Sequence, residues 1–146
     1  MKIVYDQNIP LAQELFQNLG QLVGVDGRSL NSNFLKRADV LLVRSVTTVN
    51  ADLLEGTNIK WVGSATAGIN HIDTRYLNSK KIHFCNAPGS NAQSVAEYVL
   101  SAIFHLKTQG TIKQKPKVGI VGFGNVGSRL ARILKQLEIP FVAVDP

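Results

Sequence analysis

The sequence has little of what several large classes of protein depend on. It contains one cysteine, Cys85, among 146 residues, which excludes an internal disulfide and fits a reducing compartment. No apolar run approaches the roughly 20 residues that a membrane-spanning helix needs. No set of histidine, cysteine and carboxylate residues has metal-ligand spacing, and the G-x-S-x-G elbow of serine hydrolases does not occur. We therefore expect no disulfide framework, no membrane contact and no metal centre, with Cys85 buried and inert at a strand end.

The charge balance is basic but is not that of a typical nucleic-acid-binding protein. Sixteen lysines and arginines against ten acidic residues give a net charge of +6. They are scattered, apart from Lys113, Lys115 and Lys117, and neither interleaved aromatics nor a helix-turn-helix or RNA-binding signature accompanies them. A modest positive balance also suits an anionic small-molecule ligand, and we expect no nucleic-acid partner. Because Met1 and Lys2 lead directly into a strand, we expect no signal peptide and a cytoplasmic protein.

The most informative segment is residues 117–146, which has the pattern strand, glycine turn, helix, strand. Gly122, Gly124 and Gly127 follow an apolar run in the order G-x-G-x-x-G. The first glycine permits a tight turn, the second lets a pyrophosphate approach the backbone, and the third lets the helix lie close to the strand. The helix that begins there presents free N–H groups to an anion.

An acidic residue completes this pattern, because Asp145 follows the second strand, 18 residues after Gly127. A carboxylate there can bind both hydroxyls of an adenosine ribose and repels a 2′-phosphate, which favours NAD over NADP. The predicted cofactor-binding residues are Gly122, Gly124, Asn125, Val126, Gly127 and Asp145. Two alternatives stay open: a tight turn without a ligand, and a basic residue beyond Pro146 that accepts a 2′-phosphate.

Residues 1–90 alternate between five short apolar runs and four helix-like segments, which predicts a parallel sheet covered on both faces. Right-handed crossovers give the flavodoxin-like order 2-1-3-4-5. A longer helix begins after Asn91, and residues 91–116 form an interdomain helix and linker. Residues 117–146 hold only two strands and one helix, where a full dinucleotide fold has six strands. We therefore predict an α/β chain: a flavodoxin-like substrate domain followed by the truncated start of a Rossmann domain.

Two predicted strand ends carry groups suited to an anion. At the first, Arg44 offers a planar fork of donors, and Ser45 and Thr47 add hydroxyls; the alternative is a surface ion pair with hydroxyls that cap a turn. The second is residues 63–70, whose small side chains leave backbone N–H groups open as an anion nest. The alternative there is a plain glycine-terminated strand. We expect His71 and Asp73 to begin a helix rather than act as an acid–base pair.

The order of a small α/β domain, a long helix and the segment V-G-I-V-G-F-G-N-V-G followed by Asp145 resembles the D-2-hydroxyacid dehydrogenases. Val-Arg-Ser-Val-Thr at 43–47, Ala-Thr-Ala-Gly at 65–68 and Ala-Pro-Gly at 87–89 carry a finer match. That match is to members that oxidise 4-phospho-D-erythronate to its 2-oxo acid with NAD, in pyridoxal 5′-phosphate biosynthesis, and it covers the whole chain.

The resemblance implies roles for individual residues. Ser45 and Thr66 would contact a phosphorylated 2-hydroxy acid, with Arg44, Ala67 and Gly68 as helpers, and Asp145 would hold the ribose. The catalytic Arg, Glu and His of the family lie later in its nucleotide domain, so no catalytic residue is predicted in these 146, and we expect the chain alone to be inactive. The resemblance also implies a homodimer for the full-length protein. Open alternatives are another substrate, such as phosphoglycerate or lactate, and a non-catalytic, NAD-responsive binding module.

Overall fold

The computed structural model describes residues 1–113 and 116–145. Lys115 of the predicted linker and Pro146 at the predicted end of the dinucleotide unit lie outside the described residues, as does Gln114. The chain divides into two compact units, Met1–Ala87 and Pro88–Pro146.

The first unit is a five-stranded sheet with short helices between its strands. In chain order its elements are β1 (Lys2–Asp6), α1 (Ala12–Phe16), β2 (Gln21–Val25), α2 (Ser32–Leu35), β3 (Val40–Val43), α3 (Ala51–Leu54), β4 (Trp61–Ser64), α4 (Thr74–Ser79) and β5 (His83–Cys85). The strands lie in the order β2-β1-β3-β4-β5, and every pairing is parallel. The predicted flavodoxin-like order is confirmed.

The core of this unit lies on one face of the sheet. Val4, Leu41 and Val62 are fully buried there, and they pack with residues of α2, α3 and α4. Asn31 and Asn50 cap the first two of these helices, since each side chain accepts a hydrogen bond from a backbone N–H inside the first turn. The sequence predicts Asn50 as a cap and offers Asn31 or Ser32 as the start of the other helix, and the capped helices cover this face of the sheet.

Within the first unit, the opposite face has less helical cover than predicted. Of the helices of this unit, α1 borders this face, beside an apolar groove of about 260 Å³ on Ile3, Val40 and Leu42. Trp61 is 51% exposed in the groove. Cys85 lines the groove and is exposed, so the prediction of a buried cysteine is wrong.

The first helix also begins later than predicted. The sequence predicts Asn8 as its cap, with Pro10 in the first turn, but the Asn8 N–H and side-chain amide both donate to the Asp6 carboxylate instead. The helix starts after Leu11, whose φ of 58° is left-handed. Helical spacing predicts one apolar face of Leu11, Leu15, Phe16 and Leu19. The three leucines are exposed, so this face is mostly not buried.

The second unit contains α5 (Ala92–Thr108), β6 (Val118–Val121), α6 (Asn125–Gln136) and β7 (Phe141–Val144). The two strands are parallel and α6 connects them, as the glycine-turn pattern predicted. Ala96 of α5 packs with Leu130, Ala131 and Leu134 of α6 and with Ile120 of β6. Helical spacing also predicts Ala102 and Leu106 on the apolar stripe of α5, but both are exposed, because the side that packs with α6 is formed by Ala96, Val99, Leu100 and Ile103.

Within residues 1–113 and 116–145, no helix has both the length and the apolar character required to cross a bilayer. In the same residues, no three His, Cys, Asp or Glu side chains come together as a metal site requires.

Candidate functional site

The ends of β1 and β3 are joined by an ion pair. Asp6 is the last residue of β1 and is fully buried, and Arg44 immediately follows β3. The Arg44 Nε lies 2.9 Å from Asp6 Oδ2, and its Nη2 lies 3.5 Å from Oδ1. The Arg44 side chain remains 30% exposed, so the carboxylate fixes one edge of the guanidinium and leaves its other N–H donors toward solvent.

The environment of Asp6 favours its ionised form. Burial alone raises the pKa of this carboxyl, but the hydrogen bonds from the Asn8 N–H and from Arg44, together with the Arg44 charge, outweigh it and lower the pKa. The positive charge of Arg44 is therefore held in place by a permanent negative partner at neutral pH.

The two hydroxyls predicted beside Arg44 have different surroundings. Ser45 is exposed and available to a ligand. Thr47 is buried, and its hydroxyl donates to the carbonyl of Gly27 at 2.8 Å. The expectation that Thr47 offers its hydroxyl to an anion is wrong, because that hydroxyl connects the loops that follow β2 and β3.

The segment after β4 places Thr66, Ala67 and Gly68 at the same edge of the sheet. The Ala65 N–H donates to the carbonyl of Val43 at 2.9 Å, so this loop begins beside the one that carries Arg44 and Ser45. Ala67 and Gly68 are exposed. The Ala67 carbonyl accepts from the Asn86 side chain at 2.8 Å, and the Thr66 carbonyl accepts from the Ala87 N–H at 3.3 Å.

His71 does not begin α4, contrary to expectation. Its carbonyl accepts from the Val49 N–H, and the Val49 carbonyl accepts from the Asp73 N–H, both at 2.8 Å. These bonds hold residues 71–73 as a short bridge beside Val49. The helix therefore starts three residues later than predicted, with Asp73 as its cap to the Tyr76 N–H at 2.9 Å.

His71 instead faces the end of β4. Its Nε2 lies 3.0 Å from the hydroxyl of Ser64, which lies 2.8 Å from the hydroxyl of Thr66. Burial lowers the pKa of His71, so the imidazole is neutral at pH 7.

In the second unit the three glycines have separate structural reasons. Gly122 has a φ of 92°, which side chains rarely adopt. A Cβ on Gly127 would lie 2.1 Å from the Gly122 carbonyl oxygen, so the turn and α6 approach each other too closely for any other residue. A Cβ on Gly124 would meet no atom within 4 Å, so the space there is open to a ligand.

Gly124 is also the N-cap of α6, and no side chain caps it. A 12-residue helix thus presents its first N–H groups beside an open glycine, which is the arrangement that binds a phosphate. Asn125 is exposed and Val126 half-buried in the first turn. A Cβ on Gly89 would lie 3.0 Å from the Asn125 side chain, so the two residues are in close contact.

Asp145 is exposed and lies directly beside the glycine turn. Its Oδ1 accepts a hydrogen bond from the Phe123 N–H at 2.8 Å. The register places Val121 opposite Val144, which brings the acid at the end of β7 to the turn that follows β6. The other carboxylate oxygen is left for a ligand, so the residues of this turn fit the ribose and pyrophosphate of a dinucleotide.

Sequence reasoning missed Asp6, the hydroxyl contacts of Ser64 and the location of His71. Asp6 lies at a strand end, where ligands of parallel sheets bind, and that rule could have directed attention to it. Ser64 closes β4 two residues after the buried Val62, so strand alternation places its hydroxyl on the core side of the sheet. No local signal predicts the bridge that holds His71.

Comparisons with known proteins assign the chain to a family. The sequence profile of the family described as D-isomer specific 2-hydroxyacid dehydrogenase, catalytic domain, matches residues 3–136. The chain therefore belongs to the D-isomer-specific 2-hydroxyacid dehydrogenase family, an oxidoreductase family.

Its similar relatives include the erythronate-4-phosphate dehydrogenases of Teredinibacter turnerae, 48% identical over 146 residues, and of Pectobacterium carotovorum, 50% identical over 147 residues. Each alignment covers the whole of this chain and 39% of the relative. The chain thus spans about two fifths of the length of these relatives. Among solved structures, an NAD-bound 3-phosphoglycerate dehydrogenase of Entamoeba histolytica matches with a TM-score of 0.78 and 27% identity, over 100% of this chain and 54% of that one.

Proposed function

We propose that the full-length protein oxidises 4-phospho-D-erythronate to the corresponding 2-oxo acid, with hydride passing to NAD, in pyridoxal 5′-phosphate biosynthesis. The observation that carries the proposal is the placement of Arg44, Ser45 and Thr66 on adjacent loops at one sheet edge. Identity near 50% to proteins named for this substrate supports it.

The roles of the substrate loops follow from their chemistry. Arg44, fixed by Asp6, supplies positive charge and donors to a carboxylate or phosphate. The hydroxyls of Ser45 and Thr66 and the backbone at Ala67 and Gly68 complete the binding surface. These groups bind and orient the substrate, and we assign the chemical step to residues outside these 146, so the chain by itself turns over nothing.

The roles in the glycine turn follow in the same way. Gly122, Gly124, Asn125, Val126 and Gly127 would hold the pyrophosphate of NAD at the start of α6, and Asp145 would hold the adenosine ribose. NAD, when bound, supplies the hydride acceptor. The Asp145 carboxylate selects against a 2′-phosphate by charge.

We also propose the domain limits 1–90 for substrate binding, 91–116 for the connecting helix and linker, and 117–146 for the first β-α-β of the NAD-binding domain. The full-length protein is proposed to be a cytoplasmic homodimer without nucleic-acid or membrane partners. Sedimentation equilibrium of the full-length protein tests the dimer, and a monomer at micromolar concentration contradicts it.

A substrate panel tests the function. Full-length protein is assayed for NADH production from 4-phospho-D-erythronate, 3-phosphoglycerate and D-lactate. We expect the highest kcat/KM for the first, and a preference for either of the others overturns the assignment. Ser45→Ala and Thr66→Val should each raise KM for the preferred acid, while Thr48→Val, an exposed hydroxyl in the same loop as Ser45, should not.

A further inference from the structure

We propose that His71 and Ser64 are positioning residues which, through a directed hydrogen-bond chain, make the Thr66 hydroxyl a stronger donor toward an anionic substrate oxygen. The proposal deepens the proposed function and rests on it, since it takes Thr66 as a substrate contact. Neither positioning residue touches substrate in this scheme.

The chain consists of three side chains and one carbonyl. Ser64 is 4% exposed and lies between the other two groups, 3.0 Å from His71 Nε2 and 2.8 Å from the Thr66 hydroxyl. The Thr66 hydroxyl in turn lies 3.3 Å from the Gly68 carbonyl. The backbone bonds to Val49 fix His71 in position, so the chain begins at a rigid point and ends on an exposed loop.

The direction of the chain follows from the number of protons. The Gly68 carbonyl can only accept, so the contact with it is made when the single hydroxyl proton of Thr66 points toward it. With that proton used, Thr66 accepts from Ser64 and Ser64 accepts from His71. We therefore assign the imidazole proton to Nε2, with every donation running outward, from the interior to the loop.

This direction matters because a carboxylate or a phosphate needs a donor. The bond from Thr66 to Gly68, at 3.3 Å, is longer than is usual for a hydroxyl donor and is weak. A bound anion can take that proton while Thr66 continues to accept from Ser64, and a hydroxyl that accepts becomes a better donor. In the opposite direction the Thr66 proton would point at Ser64, and the anion would meet only lone pairs.

The test uses the full-length protein with Ser64→Ala, His71→Leu and His71→Gln. The glutamine side chain can restore an N–H donor near the position of Nε2. We expect Ser64→Ala to raise KM for the phosphorylated acid about fivefold, the effect of one hydrogen bond between neutral groups, because Thr66 keeps its bond to the anion but loses the bond from Ser64. The kcat and the KM for NAD should stay within about twofold. His71→Leu should shift KM in the same direction, and His71→Gln should restore it to within about twofold of wild type.

A control separates this effect from a general loss of stability. Thr57→Val removes a hydroxyl bond of 2.7 Å to the Leu54 carbonyl, away from the Thr66 loop, and should leave KM unchanged. If Ser64→Ala does not fold, the two His71 variants carry the test. A KM for His71→Leu within twofold of wild type, or no rescue by glutamine, overturns the proposal.

A second readout does not depend on activity. The ¹⁵N shifts of His71 in the full-length protein should show a neutral ring protonated at Nε2, and protonation at Nδ1 alone overturns the direction of the chain. If the wild type prefers another acid, the proposed function has failed, and the KM comparison is made on that acid. If the wild type oxidises none of the three acids, the ¹⁵N measurement of the His71 tautomer alone tests the proposal.

Discussion

Asp6 and Arg44 come from strand ends that are neighbours in the sheet and 38 residues apart in the sequence, and they form an ion pair of 2.9 Å in which the acid is fully buried. A buried carboxylate is stabilising only when its partners satisfy it. Here the Asn8 N–H and the Arg44 guanidinium do so. This pair links the packing of the first unit to the charge that we propose faces the substrate.

We predict that Asp6→Ala lowers the free energy of unfolding by about 2–4 kcal/mol, because it removes the buried acceptor that Asn8 and the half-buried Arg44 share. Urea denaturation of the full-length protein at pH 7 measures this. Glu55→Gln, which weakens the exposed pair with Lys80, is the matched control and should have little effect. Equal losses of stability in the two variants would show that the Asp6–Arg44 pair contributes no more than an exposed ion pair.

The same residue predicts a dependence on pH. The pKa of Asp6 is lowered in the folded protein, so its ionisation contributes stability above the ordinary carboxyl value of about 4. That contribution is lost as the pH falls through the folded-state pKa. Between pH 5 and pH 3, Asp6→Asn should therefore lose less stability than wild type. An identical pH dependence in both proteins would contradict the assignment.

Buried and exposed leucines offer a direct test of the one-sided core. Leu41 is fully buried on the covered face, and Leu15 is 65% exposed. Leu41→Ala should cost about 2–5 kcal/mol, and Leu15→Ala less than about 0.5 kcal/mol. Denaturant midpoints compare the two, and a large loss in Leu15→Ala would mean that a partner or a further segment covers that residue in the full-length protein.

Much of the fold could be predicted from the sequence because its determinants are local. Apolar runs and the caps Asn31 and Asn50 set the strands and two of the helices, and right-handed crossovers then leave one strand order. The first helix could not be placed in this way. The Asp6 carboxylate takes the donors of Asn8, so a non-helical turn forms where a helix cap was expected.

The candidate sites also contain features that the local sequence predicts and contacts that it does not. The glycine turn could be predicted from the spacing of its glycines, because each glycine is required by the local backbone, as the φ of 92° at Gly122 shows. The bridge of His71 to Val49 and the bond of Thr47 to Gly27 join residues 22 and 20 positions apart. Such bonds depend on the completed sheet, and no short pattern contains them.

Two glycines of the turn should respond to alanine in different ways. Gly127→Ala places a Cβ 2.1 Å from a backbone oxygen, so the chain must shift, at about 1–3 kcal/mol of stability. The Cβ added by Gly124→Ala meets no atom within 4 Å. This variant should lose about 1 kcal/mol of stability or less, through its effect on the helix cap. Its effect should fall on the proposed NAD site, where the added methyl blocks the approach of the pyrophosphate.

Thermal unfolding and NAD titration of the full-length protein separate these two effects. Gly124→Ala should weaken NAD binding by about tenfold or more while unfolding near the wild-type temperature. Normal NAD affinity in that variant would show that the glycine turn does not bind the pyrophosphate of NAD.

Asp145 has two roles that one substitution can separate. Its Oδ1 accepts from the Phe123 N–H and so orders the turn, while its charge is proposed to exclude a 2′-phosphate. Asp145→Asn keeps an acceptor oxygen and removes the charge, so we expect the turn to persist and the ratio of kcat/KM for NAD to that for NADP to fall about tenfold or more. Asp145→Ala removes both features and should also lower stability. Steady-state kinetics of the full-length protein with each cofactor decide the matter, and an unchanged ratio in Asp145→Asn would mean that discrimination lies elsewhere in the protein.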